Sequence, residues 1–157
     1  MTDTAAPIEL APKRWSRASR TLQAVRVGGR WVHLALALAV VGGVFVQVYL
    51  IGAYIFGAGQ SALDAHKSAG WTVHGFELLV FAAALLAWLS WVDLVLSFLL
   101  AVIGTVQVFL ASEHRWVGGL HPVLALVVVS LAAMLVLRAL RRRRTMREPP
   151  PARRRAA

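Results

Sequence analysis

The chain contains no cysteine. That excludes disulfides, iron–sulfur clusters, thiolate metal ligands and covalent c-type haem attachment. Charge is almost as scarce through the middle. Between Trp31 and Leu137 there are only two cations, Lys67 and Arg115, and four acids, Asp64, Glu77, Asp93 and Glu113. A soluble surface needs far more. The formal net charge of +10 therefore sits in the tails. Six Lys/Arg fall in residues 1–30 and nine in residues 138–157. Basic tails flanking apolar runs are a membrane-topology pattern, so no nucleic acid is expected as a partner. The first thirty residues are polar and Arg-rich, unlike a signal peptide.

What fills the middle is apolar: 59% of all residues are hydrophobic, and the mean hydropathy is +0.66. Four runs stand out, predicting helices at about residues 32–56, 66–91, 94–111 and 122–140. Each approaches the ~20 residues that span a bilayer. None alternates like a strand, and an open sheet cannot sit in lipid. The expected fold is all-α, a four-helix transmembrane bundle running up-down-up-down over residues 31–140. Both basic tails place the termini in the cytoplasm. Residues 1–30 and the Pro/Arg-rich residues 141–157 lack the apolar content for a core and are expected to be disordered. Trp15, among Lys13, Arg14 and Arg17, suits an anionic membrane surface.

VQVYL at residues 46–50 returns as VQVFL at residues 106–110. After each, the chain turns and presents a histidine at the start of the next helix: His66 lies 19 residues past Gln47, and His121 lies 14 past Gln107. The bundle thus reads as two similar hairpins, and parallel repeats place a site at their interface. The sequence Ser61-Ala-Leu-Asp64 has capping-box spacing, and Pro122 suits a helix start. Four residues beyond each histidine is a small residue, Gly70 or Ala125, on the same helix face. Two histidines facing each other over small residues fit bis-histidine ligation of a b-type haem near the outer surface. Lys67 and Arg115 are placed to meet its propionates. His74 and His114 are the alternative ligands.

HKSAG at residues 66–70 resembles the His-Arg-x-x-Gly stretch that opens a helix in haem A synthases. FVQVYLIGAYIFGAG at residues 45–59 is similar to the Gln-bearing helix and Gly-rich exit before it. LHPVLALVVVSLAAMLVL at residues 120–137 resembles the helix that carries the partner histidine. The likeness covers about residues 30–140 and one four-helix half of those enzymes. The same Gln, His-x-x-x-Gly and Leu-His-Pro marks also resemble a bacterial four-helix membrane family of unknown function. The resemblance implies a haem site at His66 and His121 and a location in the bacterial inner membrane. It does not extend to haem A synthesis. Leu63 stands where the enzymes have a glutamate, and their cysteine pair and second half are absent.

Other polar residues have plainer readings. Gln47 and Gln107 are expected to hydrogen-bond neighbouring helices. Glu77 lies ~16 Å from His66 along its helix, and a neutral Glu77 bonded to Gln47 is the structural reading. A proton relay or quinone site is the functional one. His33 is placed at the membrane surface beside Trp31. Trp71, Trp88, Trp91 and Trp116 read as an aromatic belt, and Gly42-Gly43 as a close helix contact. No hydrolytic triad, phosphate loop or zinc motif is present, so no independent enzymatic activity is read. The functional expectation is a b-type-cytochrome-like membrane protein for electron transfer, alone or as an accessory subunit of a respiratory complex. The alternative is a haem-free structural or assembly subunit. Membrane lipid is the first partner. A larger membrane complex or a homodimer would supply others.

Overall fold

The computed structural model describes residues 17–112 and 115–145, without the side chains of Arg115, Arg144 and Thr145. The elements are α1 (Arg17–Ile55), α2 (Gln60–Leu86), α3 (Trp91–Leu110), a single turn α4 (Arg115–Gly118) and α5 (Leu120–Thr145). Among the described residues there is no strand. Four helices are long and apolar enough to cross a membrane. α1 packs on α2, α2 on α3, α3 on α5, and α5 back on α1. Short connections make neighbours antiparallel, which gives the expected up-down-up-down bundle.

The core is built from small and β-branched residues. Ala37, Val40, Val80, Ala84, Leu100, Val128 and Ala132 are fully buried. Small side chains let backbones approach closely, the main source of packing energy between helices in lipid. At Gly43 an added Cβ would come within 2.5 Å of Val73 Cγ2. The outward faces carry exposed apolar side chains such as Leu38, Phe45, Phe98 and Leu126. Lipid is the solvent that tolerates them.

α1 and α2 end in the same motif. Ala58 N–H donates to Ala53 O and Gly57 N–H to Tyr54 O, while Leu89 N–H donates to Ala84 O and Trp88 N–H to Leu85 O. These are Schellman closures, which need a left-handed residue just past the helix. Gly57 adopts it freely at φ 95°, and Trp88 adopts it at φ 46° despite its Cβ.

Several boundaries differ from the sequence reading. α1 begins at Arg17, so residues 17–30 are helix and not coil. A helix of 39 residues is ~58 Å long, about twice the ~30 Å hydrocarbon layer. The helix that opens the bundle propagates back across Gly28 and Gly29 to residues such as Ala24, Gln23, Leu22 and Arg20, extension costing less than nucleation. α5 likewise runs on to Thr145 through residues expected to be disordered. α2 starts at Gln60 with Gly59 as its cap, and Gln60 Nε2 donates to Asp64 Oδ1 at 3.1 Å. Ser61 and Asp64 therefore form no capping box. A side-chain N-cap occurs instead at α3. Ser90 Oγ accepts from Asp93 N–H at 3.4 Å and donates to Asp93 Oδ2 at 2.9 Å. Pro122 lies inside the first turn of α5, where a missing N–H costs nothing. Trp15 and residues 149–151 lie outside the described residues.

Candidate functional site

His66 and His121 are held in the same way. His66 Nδ1 donates to the main-chain oxygen of Gln47 at 3.1 Å, and His121 Nδ1 donates to that of Gln107 at 2.9 Å. A carbonyl oxygen can only accept, so the proton of each neutral ring is on Nδ1. Nε2 keeps its lone pair in both, the tautomer a metal-binding imidazole adopts. The opening repeat is thus a structural one. The carbonyl of each repeated glutamine orients the histidine that starts the following helix.

The two rings lie with centroids 6.3 Å apart and planes at 81°. Both line a cavity of about 570 Å³ between the hairpins, together with Gln47, Lys67, Gly70, Gln107 and Ala125. Val44 and Val73 supply apolar wall. At Gly70 an added Cβ would stand 2.9 Å from Gln47 Nε2. Gly70 therefore keeps the cavity open beside that amide. Lys67 is exposed at the cavity. The Arg115 side chain and all of His114 lie outside the described residues.

Two observations bear on whether these residues fit a haem. The two ring centres, 6.3 Å apart, flank one cavity, a separation that two imidazoles holding one haem iron would allow. The second concerns ligand number. Two imidazoles, those of His66 and His121, line the cavity, the number of protein donors that a b-type haem takes. The cavity is within the usual range for small-molecule sites. The residues present fit the group.

The glutamine side chains do not behave as glue. Gln47 Oε1 and Gln107 Oε1 are both buried without a hydrogen-bond partner. Each amide belongs to the cavity lining. Glu77 does not bond to Gln47 either. Its Oε2 meets His74 Nδ1 at 3.0 Å, one turn away on α2, and it is fully buried. His74 has Glu77 on one side and the Trp71 ring 6.2 Å away. It is not part of the cavity lining that holds His66 and His121.

The opposite end of the bundle holds a polar cluster that sequence reasoning missed. Asp93, 3% exposed, accepts from Arg138 Nε at 2.6 Å, pairs with Arg142, and receives the Ser90 hydroxyl. Arg142 Nη2 also donates to Ser90 Oγ at 2.6 Å. One turn along α3, Ser97 meets His33 Nε2 at 3.1 Å, and both are buried. His33 thus faces the bundle interior at this end. Outside this cluster, Arg143 stacks on Trp31 and Arg26 on Trp88, the cation–π pairing expected at an apolar-to-wet boundary. The chain matches no family model, no curated protein and no solved structure.

Proposed function

We propose that the chain is an integral membrane haem protein that holds one b-type haem between its two hairpins, with His66 and His121 as axial ligands. The observation that carries this reading is a pair of imidazoles, each held through Nδ1 by a main-chain oxygen, with ring centroids 6.3 Å apart and both lining one cavity. When bound, such a group supplies one-electron redox chemistry.

The chain's own residues do the rest. The Gln47 and Gln107 carbonyls fix both imidazole tautomers and raise ring basicity by accepting from Nδ1. Gly70 and Ala125 leave space for a flat ligand. Val44 and Val73 supply an apolar wall. Lys67 offers a cation to a carboxylate at the cavity mouth. Gln47 and Gln107 add polar side chains to the cavity lining. The basic ends of α1 and α5 set the cavity on the outward side by the positive-inside rule. A site there suits an electron carrier or an accessory subunit of a respiratory assembly. The similarity to one half of haem A synthase agrees with haem holding and not with haem A synthesis.

Haem titration into the detergent-purified full chain tests this. Saturation at one haem per chain, abolished by His66→Ala and by His121→Ala, supports it. No saturable binding by a folded wild-type chain removes the haem, and the bundle is then a structural or assembly subunit.

A further inference from the structure

Glu77 has no part in the site described above. It is fully buried in mid-bundle, with Oε2 on His74 and Oε1 buried without a partner. Space for the carboxyl exists only because position 104 on α3 is glycine. A methyl group there would fall on it. A buried carboxylate with a bare oxygen is costly. Acids inside a membrane bundle are retained mainly where they carry protons or ions.

The nearest buried polar side chain of α3 lies on one side of this carboxyl. Gln107 stands about 4.5 Å beyond Gly104 along α3, toward the cavity. It lines that cavity, and its own Oε1 is buried without a partner. The side chains that carry these two unsatisfied oxygens thus pack at positions one turn apart on α3. A proton on Glu77 turns one of the oxygens into a donor. In the other direction the next polar group on α3 is Ser97, about 10.5 Å from Gly104. Val80 from α2 and Leu100 from α3, both fully buried, belong to the apolar core on that side.

We propose that Glu77 is a proton-binding site that exchanges with the His66–His121 cavity by way of Gln107 and is sealed from the Asp93 end. The titratable and charged groups around it are His74 on its own helix and His66 and His121 at the cavity. Beyond the apolar layer are His33, Asp93, Arg138 and Arg142. Only the first three share its side of that layer. The inference rests on the shape of the cavity and not on what fills it.

Infrared spectroscopy of the full chain in bilayers tests it without added haem. From mildly alkaline to acidic pH, a protonated-carboxyl C=O band should appear that is missing in Glu77→Gln. After a switch to D2O the band should shift. The shift should slow about tenfold or more in Gln107→Leu, the worth of one lost hydrogen bond. Ala125→Phe, which narrows the cavity, should slow it too and serves if Gln107→Leu does not fold. Leu100→Ser, which breaches the apolar layer, should speed it. Two results overturn the proposal. One is the absence of any band that depends on Glu77. The other is exchange at the wild-type rate with Gln107 removed or the cavity narrowed. Either leaves the haem reading untouched, because no haem enters the measurement.

Discussion

Replacing Gly104 by alanine should be among the most damaging single-methyl changes in this protein. In a helix interior the exchange ordinarily gains up to about 1 kcal/mol, because glycine gives up more backbone freedom. At Gly104 the new methyl would occupy the space of the Glu77 carboxyl. Either α2 and α3 separate, an overpacking cost of about 1–3 kcal/mol, or Glu77 leaves His74. Losing that buried hydrogen bond costs about 1–3 kcal/mol. Set against the intrinsic gain, either route leaves a net loss of about 1–2 kcal/mol. Gly75, on the same carboxyl-bearing helix, has nothing within 4 Å of its would-be methyl, so Gly75→Ala is the matched control and should be neutral or mildly stabilising. The assay is reversible unfolding in mixed micelles, followed by circular dichroism. A coupled pair shows non-additivity, so the penalty of Gly104→Ala should largely disappear in a Glu77→Ala background. If Gly104→Ala unfolds with Gly75→Ala, or if its penalty survives removal of the carboxyl, the packing argument is wrong.

Asp93→Ala should cost about 2–3 kcal/mol in the same assay, below the ~3–5 kcal/mol for breaking a fully buried ion pair. The reason is that Arg138 and Arg142 have side chains 34% and 39% exposed and can turn to water. Ser97→Ala strips His33 of its interior partner and should cost about 1–3 kcal/mol, while His33→Ala in that background should add little beyond its cavity. In the haem-loaded protein, imidazole planes at 81° should give the strongly anisotropic low-spin electron paramagnetic resonance signal of perpendicular axial ligands. A rhombic signal of the parallel kind would show that the rings turn on loading. Gly70→Ala should crowd the Gln47 amide and weaken haem binding without unfolding the chain, read as a right-shifted titration.

The sequence made the bundle legible because length and hydropathy alone decide it. A run of some twenty apolar residues in lipid has few options besides a helix. Repetition of the VQV stretch and the histidine after it marked the two hairpins. The small residues at 70 and 125 marked open space. The bond that orients each histidine was not legible. Its acceptor is a main-chain oxygen, and a carbonyl leaves no signature in residue type. The glutamines that carry those carbonyls drew attention to their amides, which have no partner in the protein. The Asp93 cluster escaped for another reason. Arg138 and Arg142 lie 45 and 49 residues from Asp93 and are indistinguishable in sequence from the topology charges that follow them. His33 and Ser97, 64 residues apart, share no local pattern at all. Residues 17–30 were misread because a helix beyond the membrane needs no apolar run. It needs only a preformed helix to extend.

The most direct test of the account is the reduced-minus-oxidised visible spectrum of the full chain, purified after expression with ample haem, beside His66→Ala and His121→Ala. The account predicts a low-spin b-type α-band in the wild type that is lost in both variants, while His74→Ala retains it. A wild-type protein that folds and shows no such band, or a band that survives removal of either histidine, would contradict it.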